Sequence, residues 1–189
     1  MFASLLATDR AVGVWFATHL AGPWLDHLMV WASIIGARGA VWIVAGVITL
    51  IVAPAKRMAA FRLLLSLALA GLIVDHMVKP IVGRTRPYVD HSEYRELGYR
   101  PDDPSFPSGH ASTASAGALA LTRIWPATTV VAWPLAIVIA ISRIALGVHF
   151  PSDVVVGFAI GYATARFVCA KPPRADEGDR VVAKEVPVL

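Results

Sequence analysis

The sequence predicts an all-α fold, a polytopic bundle of five to six membrane-spanning helices. Three observations predict it. Hydrophobic residues fill 57% of the 189 positions and charged residues only 16%, a balance well outside that of an average soluble domain. The charges are clustered, leaving uncharged stretches at 39–55, 63–74, 104–122 and 124–142. Together with their flanks these stretches approach the roughly 17–25 residues that a helix needs to cross a hydrocarbon core. A soluble helical protein of this length would have too little polar surface to cover so many apolar helices.

Along the chain, residues 2–22 are apolar but carry Asp9, Arg10 and His19, and residues 24–36 carry Asp26 and His27. Both read as amphipathic helices in the membrane interface, with Trp15, Trp24 and Trp31 at headgroup depth. A short sixth span over 2–22 is the alternative. Five crossings follow, at about 39–55, 58–79, 108–124, 126–147 and 152–170. Residues 171–189 mix both charges with proline and read as a flexible cytoplasmic tail. The expected organisation is therefore an N-terminal region over 1–38, a membrane catalytic domain over 39–170 and a tail over 171–189. The N-terminus has no basic region before a cleavage site, so no removable signal peptide is expected.

Loop charges orient this scheme. Lys56, Arg57 and Arg62 flank the turn between the first two crossings, Arg123 lies in a later turn, and Arg166, Lys171 and Arg174 follow the last one. By parity all fall on one face, and excess Lys and Arg mark the cytoplasmic side. The segments 79–87, 107–110 and 142–153 then converge on the opposite, extracytoplasmic face. With small size and short loops, this points to a bacterial inner-membrane protein.

The net charge of +4 does not indicate a nucleic-acid partner, because the basic residues sit in loops and motifs and form no soluble basic face. A single cysteine, Cys169, excludes an intrachain disulfide and a cysteine metal cluster.

The chemistry lies in the three converging segments. Lys79, Arg86 and Arg143 are cations at the edges of apolar helices, where a charge marks a functional site by default. Forked guanidinium donors and an ammonium charge suit a phosphate. In PSGH, Ser108 is placed to cap a helix, Gly109 to admit an anion near free N–H groups, and His110 to donate a proton from the first turn. In SRIALGVHFPSD, Gly147 permits a tight exit and Pro151 suits a first helical turn. Asp153, four residues after His149, can reach an imidazole nitrogen, fix the tautomer and leave the other nitrogen as a lone pair. A helix-start aspartate beside a loop histidine would look the same in isolation. Asp75, one turn before Lys79, can orient or neutralise it. Arg84 reads as a side chain reaching for lipid headgroups, and His76 as structural.

Taken together, Lys79-x6-Arg86-Pro87, Pro107-Ser108-Gly109-His110 and Ser142-Arg143-x5-His149-x3-Asp153 resemble the signature of the type 2 phosphatidic acid phosphatase family in order and spacing. The resemblance spans about residues 58–170, although residues 1–22 are shorter than the first membrane segment of its six-span bacterial members. It implies a helical core whose anion cradle is shared with vanadium haloperoxidases. By resemblance His149 is the nucleophile that forms a phosphohistidine, Asp153 orients it, and His110 protonates the leaving group. Lys79, Arg86, Ser108, Gly109 and Arg143 hold the phosphate oxygens, with no metal and no other cofactor.

The expected activity is hydrolysis of a lipid phosphate or diphosphate: a prenyl diphosphate, a prenyl-phosphate sugar, phosphatidylglycerophosphate or phosphatidic acid. The expected partners are that substrate and the surrounding membrane lipids. A non-catalytic lipid-binding or translocating protein is the alternative, but binding alone requires neither a nucleophile nor an acid. A His/Asp metal hydrolase is disfavoured because Lys79, Arg86 and Arg143 would repel a dication.

Overall fold

The structure, a computed structural model, describes residues 2–20, 22–90 and 100–170. Nine α-helices occur among the described residues, which contain no strand. They are α1 (Phe2–His19), α2 (Pro23–Gly36), α3 (Ala40–Val52), α4 (Arg57–Leu72), α5 (Lys79–Val82), α6 (Pro87–Asp90), α7 (Gly109–Ile124), α8 (Thr129–Ala145) and α9 (Pro151–Val168).

Helix α7 is the axis of the bundle. Residues 111–120 (ASTASAGALA) are all buried, and α4, α8 and α9 pack around them. Small side chains allow the backbones to approach closely, as in membrane bundles that lack a hydrophobic driving force between helices. A Cβ on Gly161 would stand 1.8 Å from the Ser112 carbonyl oxygen, and one on Gly157 would stand 2.3 Å from that of Ser108. This glycine pair, one turn apart on α9, seats α9 directly on the α7 backbone. Leu63, Trp42 and Ile139 complete the core around it.

The outer surface has the opposite composition. Val44, Ile48 and Ile51 on α3, Met58 and Phe61 on α4, Val130 and Val131 on α8, and Val155 and Phe167 on α9 are all exposed. Apolar exposure on this scale requires a non-aqueous surrounding. Three helical runs, Pro23–Val52, Pro54–Val82 and Pro126–Ala145, are each long and apolar enough to cross a membrane. The expected crossings at 108–124 and 152–170 fall on α7 and α9, which are not among those three runs. Helix α7 needs less hydropathy because protein encloses it.

Two local features go beyond the expected scheme. Residues 24–36, expected in the interface, form the first half of the run 23–52, joined to α3 through a kink at Arg38 (φ 51°) and Gly39 (φ 76°). Between α4 and α5, residues Ile73–Val78 widen into a π-helical turn. Pro80 explains it, since its ring would collide with the His76 carbonyl in an ordinary α-helix. The expected tail, 171–189, lies outside the described residues, as do residues 91–99.

Candidate active site

The structure brings the three sequence segments together at one end of the bundle. The Ser108 N–H donates to the Asp153 carbonyl at 2.9 Å, and the His149 N–H to the Arg143 carbonyl at 3.2 Å. Arg86 Nη1 donates to the Val148 carbonyl at 2.8 Å and lies 3.3 Å from His149 Nε2. Lys79, Arg86, Ser108, Arg143, His149 and Asp153 are all buried here.

Local sequence explains much of this placement. Ser108 caps α7, its hydroxyl accepting from the Ala111 N–H at 3.4 Å. Gly109 opens the helix and His110 follows in the first turn, in the electrostatic range of Arg143, His149 and Lys79. Gly147 takes a left-handed φ of 68°, turning the chain out of α8, and Pro151 starts α9. His149 is thereby held in a short loop between two rigid helices. The segment 100–106 runs beside 84–88, tied by Ser105 N–H to the Arg84 carbonyl at 2.8 Å and Tyr88 hydroxyl to the Pro101 carbonyl at 2.6 Å.

That tie delivers Asp103 onto two of the expected phosphate ligands. Its carboxylate accepts from Arg86 Nη2 at 2.8 Å and from Lys79 Nζ, while its carbonyl accepts from Arg86 Nε at 2.7 Å. Lys79 also donates to Asp75 at 2.7 Å, as the one-turn spacing predicts. Burial pushes the Asp103 carboxyl upward, but the hydrogen bond and charge of Lys79 and those of Arg86 outweigh it and hold Asp103 below the usual carboxylate range. Arg143 donates through Nη1 to the Ser33 hydroxyl of α2, and its buried Nε has no partner among the described residues.

The histidine has a definite polarity. A guanidinium can only donate, so its contact with Nε2 assigns that nitrogen a lone pair and puts the proton on Nδ1. Nδ1 faces Asp153 Oδ2 at 3.5 Å, within ion-pair reach but without a hydrogen bond. Burial, then the charges of Arg143, Arg86 and Lys79, push the His149 imidazole well below its ordinary value. It is therefore neutral, with its Nε2 lone pair directed at Arg86.

Asp153 does more than the sequence suggests. Oδ2 accepts from the Phe150 N–H at 2.9 Å and Oδ1 from Arg84 at 2.6 Å. Arg84 also holds Asp9 of α1 at 2.8 Å and the Ser152 hydroxyl at 2.7 Å, with its guanidinium 3.9 Å over the Phe150 ring. The expected headgroup role of Arg84 is therefore corrected: the side chain points inward and braces the loop that carries His149. Asp9 further accepts from the Ser152 N–H at 2.8 Å, anchoring α1 to the start of α9. Sequence reasoning missed Asp9, Ser33 and Asp103. Only Asp9 left a signal, as an acid within an apolar helix. His76 is exposed, apart from these contacts.

Comparisons with known proteins identify the family. The sequence profile of the PAP2 superfamily matches residues 59–176. Decaprenylphosphoryl-5-phosphoribose phosphatase of Mycobacterium tuberculosis is 34% identical over 170 residues, covering 87% of this chain and 78% of the relative. An undecaprenyl-diphosphatase of Sulfolobus acidocaldarius is 33% identical over 141 residues, covering 72% and 66%. The PAP2 type phosphatidylglycerolphosphate phosphatase of Bacillus subtilis superposes with a TM-score of 0.71 at 23% identity, covering 97% of this chain and 90% of that structure. With the profile spanning more than half its length and its three motifs gathered at one site, this chain is a membrane phosphatase that belongs to the PAP2 superfamily.

Proposed function

We propose that the enzyme hydrolyses the phosphate or diphosphate of a membrane lipid through a phosphohistidine on His149, without a metal, at the extracytoplasmic face of the inner membrane. The observation that carries this reading is the neutral, buried His149 with Nε2 facing Arg86 at 3.3 Å, beside Lys79. Phosphoryl transfer needs chiefly in-line positioning and charge stabilisation, which a cluster of cations supplies.

The phosphate enters by replacing Asp103 on Lys79 and Arg86, with Arg143 Nε and the N–H groups at the start of α7 as further donors. His110 takes up the proton that the phosphate monoanion carries into the site. His149 Nε2 attacks phosphorus, the bond from phosphorus to the leaving oxygen breaks, and that oxygen takes the proton from the His110 imidazolium. Water then attacks the phosphohistidine, giving its proton back to His110, and the P–N bond breaks to release phosphate. Asp153 stabilises the ring as it gains positive charge, from 3.5 Å. The apolar exterior favours a substrate anchored in lipid. The named prenyl-phosphate relatives support a prenyl diphosphate or prenyl-phosphate sugar; phosphatidylglycerophosphate and phosphatidic acid are the other candidates.

The test is phosphate release from a panel of lipid mono- and diphosphates in detergent with EDTA, by wild type and by His149→Ala. Release that survives chelation and disappears in the variant is expected. No release from any lipid, or equal release by the variant, would leave a protein that binds or translocates lipid instead.

A further inference from the structure

At the opposite end of the bundle, α4, α7 and α9 enclose a cavity of about 900 Å³ lined by Arg62, Arg123 and Arg166. Helix α7 separates the two ends, since His110 and Arg123 lie about 20 Å apart along its axis. Each arginine comes from a different helix, so the cluster is a product of the fold and not of a basic run in the sequence. Arg123 donates one N–H to the Cys169 carbonyl at 2.8 Å. Arg62 and Arg166 have no acidic partner among the described residues.

Among the described residues no acidic side chain lines the cavity, and between the arginines its wall is apolar: Ala120, Ile124, Ala163 and Phe167. Phe167 is 85% exposed and continues that wall onto the outer surface of the bundle. The C-termini of α7 and α9 each contribute about −0.5 charge here, far less than three guanidinium groups. The net field therefore attracts an anion. Forked guanidinium donors fit phosphate oxygens, and a basic pocket between membrane helices suits an anionic headgroup. A small soluble anion would use the arginines and leave the apolar wall uncovered.

We propose that this cavity is a second, non-catalytic lipid site, which binds the phosphate of an anionic phospholipid of the phosphatidylglycerol class and lays an acyl chain along Phe167. The site is independent of the chemistry at His149. A lipid held there ties α4, α7 and α9 together at the end away from catalysis.

The test compares the purified full chain with its Arg62→Gln/Arg166→Gln variant in zwitterionic detergent. Arg123 is left intact because it holds the Cys169 carbonyl. Native mass spectrometry reads lipid retention after addition of dioleoyl-phosphatidylglycerol or dioleoyl-phosphatidylcholine. The expected result is preferential retention of phosphatidylglycerol by wild type and at least a tenfold loss in the variant. Phosphate release from a lipid phosphate in detergent should stay at the wild-type rate, because neither residue belongs to the catalytic end. Equal retention by both proteins overturns the proposal, including the case in which Asp176, Glu177 and Asp179 of the tail neutralise the arginines. Displacement of phosphatidylglycerol from wild type by millimolar inorganic phosphate also overturns it, and reassigns the cavity to a free anion.

Discussion

The two ends of the bundle treat their cations in opposite ways. At the catalytic end Lys79, Arg84 and Arg86 are largely buried and bonded to Asp75, Asp103, Asp9 and Asp153. At the other end Arg62, Arg123 and Arg166 are partly or fully exposed and meet no carboxylate among the described residues. Solvent tolerates the second arrangement, where screening keeps an unpaired charge cheap. Burial tolerates it poorly, because a desolvated cation without a partner costs several kcal/mol. Buried Arg143 bonds the Ser33 hydroxyl and meets no carboxylate directly among the described residues, with Asp103 the anion in its electrostatic range. If Lys79 and Arg86 hold phosphate as proposed, the empty cradle carries its own anion in Asp103. On that proposal substrate binding is an exchange of carboxylate for phosphate instead of the filling of a bare positive site.

Predictions follow from this contrast, the largest effect first. His149→Ala should abolish turnover, and His110→Ala should slow it by about 100- to 10,000-fold, the usual worth of a general acid. Steady-state phosphate release measures both, and a His110 variant near wild-type rate would remove it from proton transfer. Arg84→Gln should strand the buried Asp153 without its cation and cost about 3–5 kcal/mol of stability. A thermal-unfolding midpoint equal to wild type would return Arg84 to the headgroup. By contrast, Arg62→Gln at the exposed end should shift that midpoint little.

Asp103→Asn should act differently again. Removing the competing charge should lower KM several-fold with kcat nearly unchanged. A higher KM with a lower kcat would instead make Asp103 a positioning residue for Lys79 and Arg86. The smallest effect concerns pH. The depressed pKa of His149 means that acidification protonates it only below the ordinary imidazole range, so its lone pair persists as pH falls through about 6.5. The acid limb of kcat/KM should accordingly lie below that value. A limb at the ordinary imidazole value, absent from a substrate that does not titrate there, would indicate a solvated His149.

Much of this site was legible in the sequence because its parts are local. The Ser108 cap, the turn at Gly147, the start of α9 at Pro151 and the Asp75–Lys79 pair each follow from spacing within a turn or two. The partners that complete the cradle were not legible, because they come from far along the chain. Asp9 meets Ser152, and Ser33 meets Arg143, only after α1 and α2 have docked on α8 and α9. Asp103 follows a stretch of sequence that has no helical period to betray its register. The expected bond from Asp153 to His149 was legible only as proximity, since Arg84 and the Phe150 N–H claim the same oxygens. The run 23–52 shows a similar limit, because Asp26 and His27 at its start imitate an interfacial helix.

The enclosure of α7 has a consequence for how the protein reaches its membrane. A helix of alanine, serine, threonine and glycine with a histidine in its first turn has little to gain from lipid tails, so it partitions poorly from the translocon by itself. Its neighbour α8 is strongly apolar and follows after a turn of only four residues, 125–128. Helix α7 must therefore enter as one arm of a hairpin with α8, or wait until α4 offers a surface to receive it. Glycine at 161 then matters twice during synthesis. Helix α9 emerges after the other described helices, and only a bare backbone at that position lets it close over the axis that they have already sheltered.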